Sequence, residues 1–521
     1  MEETDPLLHS NRVQRESTSL QRSDQNDTQR IRPDRIAVVC IILTVMCERL
    51  AYYSVVANLI LYCHSKLGLS STKATDINLI FTGSVFLVPA FGGYIADVYT
   101  GKYKTILGSG FIYILGLTLL YYSAINGISH KLREALFFSS LVFITIGSGG
   151  IKSNIGPLGA QQVECLGTPA VQSFFNWFFW SINFGAVIAH TAVAYVQQKI
   201  RFDYGYLIPL VVMIIGQFIF WIGRNRYITA SDEGSPFREI FGICWASRCK
   251  GFDQAERRNH GRIYTEESVK RVRSFCKILP VFGLAIVYFG TYAQTHSTFF
   301  LQSERLDISK LSDIVPDAAL GSFDNIAILI LIPLMEIFIY PFLKRINRPP
   351  SLLQRMGLGM IFAVLSVVAA GVLEIYRKHD ISLNQTIFDK DYNASSISIF
   401  TQIPQFTLMG TSEVFTSVSG MEFTYSEAPD MMKGVCMGLY LDTIGIGAFF
   451  ALMIIKIVNG IFKDLWLPDD INNGKAENLF FLFAVLTFLN FILFIFVAKR
   501  YKNSKEQNNE RSHNAGNDPG D

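Results

Sequence analysis

Val45-Met46-Cys47-Glu48-Arg49-Leu50-Ala51-Tyr52-Tyr53 sets an acid, a base and two phenols inside an apolar segment running from about Ile36 to Tyr62. A stretch of roughly 20 apolar residues is long enough to cross a bilayer as a helix. A charge at its centre costs about 2.5–3.5 kcal/mol on insertion scales, so it faces a partner or a water-filled cavity. Glu48 and Tyr52 stand four residues apart, as do Arg49 and Tyr53. On a helix each pair shares a face, and the two faces adjoin. Such a run either locks helix packing with an ion pair or forms a polar wall of a translocation site.

The surrounding composition favours a membrane. Hydrophobic residues make up 50% of the chain, aromatics 13%, and the mean hydropathy is +0.29, which excludes an ordinary soluble enzyme. A net charge of +3 is too small to argue for nucleic acid. The eight cysteines form no CxxC pair and no Cys/His ligand spacing, so neither a metal site nor a disulfide framework is expected. No nucleophile–base set emerges either, and an enzyme is the least favoured reading.

Twelve apolar spans follow in order, at about 36–62, 75–96, 104–125, 135–156, 171–197, 205–223, 276–301, 320–343, 352–375, 397–420, 434–461 and 476–498. This predicts an all-α membrane protein with twelve transmembrane helices in two six-helix bundles, at 36–223 and 276–499. A polar linker occupies 224–275, and polar tails occupy 1–35 and 500–521. Lys and Arg gather on one side of these spans, so the positive-inside rule makes both tails and the linker cytosolic. The N-terminal tail is expected to be disordered. In it, Glu3, Leu7 and Leu8 form an acidic dileucine pattern like endolysosomal sorting signals, which would engage cytosolic sorting adaptors. Sequons at Asn384 and Asn393 fall between the ninth and tenth spans, on the lumenal or outer side. Two bundles of six around a midplane site is the layout of a major-facilitator transporter.

Further runs narrow the class. Gly92-Gly93-Tyr94-Ile95-Ala96-Asp97 and Lys102 resemble the facilitator-superfamily loop after the second span. Gly149-Gly150-Ile151-Lys152, Asn183-Phe184-Gly185 and Gly420-Met421-Glu422-Phe423-Thr424 join the Glu48-Arg49-Leu50-Ala51-Tyr52-Tyr53 run. Together they resemble the proton-coupled oligopeptide transporter family, and the fifth span is most similar to its peptide/histidine branch. The resemblance implies that Arg49 and Lys152 hold a substrate carboxylate, with Glu48 balancing their charge. Tyr52 and Tyr53 would line the pocket, while Asn183, Asp324 and Glu413 would receive the ammonium end. Tyr440 stands where relatives carry a Trp or Phe gate, and Phe289 and Phe86 would meet variable side chains. Asp324 stands where many relatives have Asn, which would make the amine pocket more acidic.

Three titratable positions of the family pattern are apolar here, at Val45, Leu79 and Ala293, leaving Glu48, Asp324 and Glu413 as proton-coupling candidates. His296 and Asp442 are intramembrane candidates with no matching family role. The implied activity is symport of di- and tripeptides and histidine with protons, from an acidic endolysosomal lumen to the cytosol, with no cofactor beyond the proton gradient. The plasma membrane is the second choice of location. A transport-impaired scaffold recruiting cytosolic adaptors and a proton-independent uniporter are the alternative readings.

Overall fold

The computed structural model describes residues 34–69, 71–229, 266–303, 305–307, 322–346, 350–387, 390–429, 432–462, 465–468 and 471–515. The expected sorting residues Glu3, Leu7 and Leu8 lie outside them, as does most of the central linker. Among the described residues, eleven helices are long and apolar enough to cross a membrane: Arg35–Val56, Ile80–Thr100, Lys102–Ala124, His130–Gln161, Thr168–Ile200, Phe202–Asn225, Arg271–Thr295, Phe323–Phe342, Leu352–His379, Lys433–Phe462 and Ala476–Lys502. A further helical rod covers Ile403–Glu413, continues through a wide turn at Val414–Val418 and ends with Ser419–Glu427. This is the tenth span. The sequence reading places it at about 397–420, and its Glu413 and Glu422 are buried in the bundle.

Local chemistry sets the ends. Asp34 precedes the first span and its carboxylate accepts from the Ile36 backbone N–H at 2.9 Å, satisfying one of the orphan donors of a helix start. Arg226, just past the sixth span, donates to the same carboxylate at 2.8 Å. That bond holds the Asp34 carboxyl below its ordinary range. The ninth span opens with a reciprocal cap between Ser351 and Gln354. Asp34, Lys102, Arg226, Lys344 and Lys499 mark one end of the bundles, called here the basic face.

Three boundaries differ from the sequence reading. The seventh helix begins at Glu266, not 276, so the last ten residues assigned to the linker are helical. Val269 and Val272 explain this: spaced three apart, they bury against Ala428, Met432 and Cys436, although the stretch is too charged to look like a span. The last helix runs on to Ala515 through the expected tail at 500–521, and Tyr501 donates to Glu427 at 2.7 Å. The connection between the ninth and tenth spans is a β-hairpin, Ile381–Ile387 against Lys390–Ser395, so the chain is not purely helical. Asn384 and Asn393 face each other across it.

The hairpin sits on the face opposite the basic one. Ser395 N–H donates to the Arg305 carbonyl at 2.9 Å, and the Asn472 amide donates to the Asn393 carbonyl at 2.8 Å. Beneath it lies an ion pair with no exposure: Arg377 donates to Glu374 at 2.7 and 2.9 Å and to Asn472 at 2.6 Å. Gln302 donates to the same carboxylate at 2.8 Å. This network ties the ends of the seventh and ninth spans to the loop before the twelfth. Removing one partner strands a buried charge. Arg377→Met is therefore expected to cost about 3–5 kcal/mol, read as a lowered thermal midpoint in detergent, with Arg377→Met/Glu374→Leu recovering much of the loss.

Candidate functional site

The first span and the fourth build the core of the site. Arg49 donates from Nε to Glu48 Oε2 at 2.5 Å, and both side chains are buried. Ser148 on the fourth span donates to the other Glu48 oxygen at 3.3 Å. One turn further on, Lys152 places Nζ 4.0 Å from the Tyr52 ring centre and 4.4 Å from that of Phe86. Its ammonium has no hydrogen-bond partner among the described residues and is 7% exposed. Ring faces attract a cation by about 0.5–2 kcal/mol, but they accept none of its three N–H donors. Arg49 and Lys152 against Glu48 leave one positive charge over. The arrangement therefore favours an incoming anion.

A second cluster comes from the other bundle. Glu413 on the tenth span is 8% exposed. Tyr292, from the seventh, hydrogen-bonds its carboxyl, while Oε2 has no hydrogen-bond partner among the described residues. Asp324 acts on Glu413 electrostatically. Asp324 lies in the first turn of Phe323–Leu334, where the helix dipole favours an anion, and accepts from Asn325 N–H at 2.8 Å and from the Asn325 amide at 2.9 Å. Tyr53 joins the clusters, since Arg49 on one side and Glu413 and Asp324 on the other all act on its phenol.

Between the bundles is a cavity of about 50 Å³ whose walls include Glu48, Arg49, Lys152, Phe86, Phe178 and Met437. At roughly 10–15 Å³ per water it holds a few waters and no peptide. Contacts at the basic face explain the tight fit. Asp97 accepts from Val435 N–H at 2.8 Å, and Glu164 accepts from Lys433 at 3.1 Å and from Tyr425 at 2.8 Å. Asn176 donates to Glu336 at 2.7 Å, and Arg355 to Gln172 at 3.1 Å. Each bond joins one bundle to the other, so this conformation is shut at the basic face.

Several expected site residues turn elsewhere. The Asn183 amide donates to the Phe179 carbonyl of its own helix at 2.9 Å. Its neighbour Gly185 does the positioning, because a Cβ there would stand 2.7 Å from the Met46 carbonyl oxygen of the first span. Tyr440 is buried within the C-terminal bundle, with its ring 5.7 Å from Phe282 and 6.0 Å from Phe289, and its hydroxyl reaches the Thr416 and Ser417 carbonyls at 3.4 Å. Tyr440 and Phe289 here are packing residues behind the cavity wall. Val45 lies on that wall. The side chains of Leu79 and His296 are outside the described residues.

Ser148, Asn176, Glu336 and His190 were not singled out from the sequence. The His190 ring lies 5.4 Å from that of Tyr53. Only the helical phase of the fifth span, which brings His190 about two turns beyond Asn183 on the same side, could have suggested it. Charge balance supplies a stability test for the core. Lys152→Met removes a buried cation without a hydrogen bond and is expected to leave the thermal midpoint unchanged or raised. Glu48→Gln strands both cations and is expected to lower the midpoint, through a stability loss of about 3–5 kcal/mol. Differential scanning fluorimetry of the two purified variants checks this.

Comparison with known proteins agrees over most of the length. Residues 103–468 match the model of the POT family. Protein NRT1/ PTR FAMILY 8.1 of Arabidopsis thaliana is 32% identical, over 88% of this chain and 92% of its own. Solute carrier family 15 member 3 of Mus musculus is 31% identical, over 91% of this chain and 92% of its own. Among solved structures, an auto-inhibited POT family peptide transporter superposes with a TM-score of 0.67 at 24% identity, covering 89% of this chain and 97% of that one. At that identity the superposition speaks to the fold, which is the two-bundle transporter architecture.

Proposed function

The chain belongs to the POT family, whose members are transporters and not enzymes, and on that premise we propose that it is a proton-coupled symporter of di- and tripeptides and histidine. It moves them from the endolysosomal lumen to the cytosol by alternating access. One observation carries the reading: a surplus positive charge at Arg49 and Lys152 in one bundle, and the acid pair Glu413 and Asp324 in the other. A zwitterion needs cations at its carboxylate and anions at its ammonium, on a rigid frame. Holding both ends, it draws the two bundles together, and so binding is coupled to closure.

The basic face is the cytosolic one on the positive-inside rule. A conformation shut there takes substrate from the opposite side. Glu413 and Asp324 are the acids placed to exchange protons with that side, because each ionised carboxylate repels the other in a poorly solvated place. With Val45, Leu79 and Ala293 apolar, these and Glu48 are the coupling residues that remain. Peptide and histidine selectivity follows the resemblance to the peptide/histidine branch and is part of the proposal.

Uptake at the cell surface tests this. A Leu7→Ala/Leu8→Ala variant brings the carrier to the plasma membrane if the dileucine pattern sorts it inward. Labelled dipeptide and histidine uptake is expected to be greater at about pH 5.5 than at about pH 7.5, and Glu413→Ala is expected to remove the acid stimulation. Lys152→Ala is expected to weaken substrate affinity by at least about tenfold, equivalent to about 1.4 kcal/mol. Uptake indifferent to pH would leave a uniporter. No uptake of either substrate by surface-expressed protein would favour a scaffold that recruits cytosolic adaptors.

The hairpin supports the same orientation. Asn384 and Asn393 are exposed and directly opposed across it, on the face away from the basic end. Glycosidase treatment is expected to shift the mobility of the wild type and not of Asn384→Gln/Asn393→Gln. Single variants are expected to show whether two glycans fit on opposed positions, whose Cβ atoms are about 4.5–5.5 Å apart.

A further inference from the structure

Gly438, Asp442 and Gly445 stand at i, i+4 and i+7 on the eleventh span and so share one helical face. That face lies on the second span, across the boundary between the bundles. A Cβ on Gly438 would sit 2.6 Å from Ala90 Cα, and one on Gly445 would sit 3.1 Å from Phe86 Cβ. Backbones this close leave no room for a water layer. Asp442 enters the seam between these two contacts. Its carboxylate is turned toward the Ala90 backbone amide, where Pro89 restarts the second span after Val88. Its Oδ1 is buried and has no hydrogen-bond partner among the described residues.

No cation among the described residues compensates it. Among the described side chains, the charged groups on elements packed against the eleventh span are Lys131, Arg133, Glu134 and Lys152, with His130, on the fourth, Asp97 on the second, Arg271, Arg273 and Lys277 on the seventh, Glu422 and Glu427 on the tenth and Glu477 on the twelfth. The eleventh span itself adds Lys433 and Lys456. None of these contributes to the electrostatic surroundings of Asp442. The mechanism above does not use this carboxyl group. It nevertheless sits beside the cavity, whose lining includes its neighbour Leu441 and Phe86.

We propose that Asp442 is a proton-binding residue of the transport cycle, whose protonation state governs the parting of the second and eleventh spans. The inference rests on the transporter reading above and extends it to a residue outside the zwitterion site. An ionised carboxylate with one oxygen buried and without a hydrogen bond is expensive, whereas the neutral acid is tolerated and can donate one O–H. The closed seam therefore favours the proton. Parting the seam lets water solvate the carboxylate, and the proton leaves to that water. The sign follows by linkage: low pH stabilises the seam shut, and rising pH releases it. Asp442 acts as a positioning residue, because it sets the state of the gate without touching the substrate.

The test reads the seam directly in full-length protein in nanodiscs. Cys165, Cys244, Cys249 and Cys276 are replaced by Ser, and spin labels are placed at Tyr99→Cys and Ser426→Cys, exposed positions on opposite bundles at the basic face. Distances are measured at about pH 5.5 and about pH 8. In the otherwise native chain, the ratio of short to long distances is expected to fall by about tenfold, the effect of a one-unit difference in proton affinity between the two states. Asp442→Asn is expected to hold the short distance at both pH values. If the Asn variant does not fold, Asp442→Ser supplies the same neutral side chain in a smaller volume. A neutral variant that follows pH as the native chain does would overturn the proposal, as would a native chain whose distances ignore pH. Counterflow of a labelled dipeptide in liposomes separates the two readings. In Asp442→Asn its KM is expected to be unchanged, while its maximal rate loses pH dependence. Absent counterflow in the native chain would sink the transporter reading and leave the distance measurement to decide on Asp442.

Discussion

Lys152 is a buried ammonium that nothing in the closed protein hydrogen-bonds among the described residues. In a membrane bundle that condition is costly, and the surrounding structure offsets it only in part. Two aromatic rings hold the charge, and Glu48, whose carboxylate is shared between Arg49 and Ser148, neutralises one of two cations. Full compensation would have needed a second acid nearby. The apolar Val45, on the cavity wall one turn from Glu48, supplies none. The remaining positive charge is what a carboxylate-bearing substrate would satisfy, so local frustration and ligand preference are two aspects of one arrangement.

The same reasoning extends across the boundary between bundles. Glu413 and Asp324 bring two acids to the other bundle, and Tyr53 reaches from the first span into their field. Charges of opposite sign in separate bundles pull the halves together through a zwitterion, whereas direct contact between the clusters would cancel both. At the basic face the halves already meet, through Asp97 and Val435, Glu164 and Lys433, and Asn176 and Glu336. A cavity of about 50 Å³ shows how far this closure goes. Admitting a peptide requires these rigid groups of helices to move, since packed interiors do not stretch continuously.

Where the sequence reading fell short, long-range packing was the reason. The start of the seventh helix at Glu266 depends on Val269 and Val272 meeting Ala428 and Met432, residues more than a hundred positions away. The last helix outruns its apolar stretch because Tyr501 finds Glu427. In the site, the Asn183 amide bonds the carbonyl four residues back on its own helix, and Tyr440 packs within its own bundle. His190 went unmarked since nothing adjacent in sequence sets it apart from a lipid-facing or core histidine.

Hydrophobic length and charge asymmetry along the chain determined the membrane class, the order of the spans and the buried acid–base run at Glu48 and Arg49. Those are one-dimensional properties, fixed by the cost of putting polar groups into hydrocarbon. Which charges neutralise one another could not be read that way. Pairing depends on helix rotation and on backbone approach at positions such as Gly185 and Gly438, and a shift of an ångström decides whether a carboxylate meets a cation or stands alone. Only the tertiary structure left the Lys152 ammonium without a hydrogen bond among the described residues and placed Asp442 in the seam between the bundles.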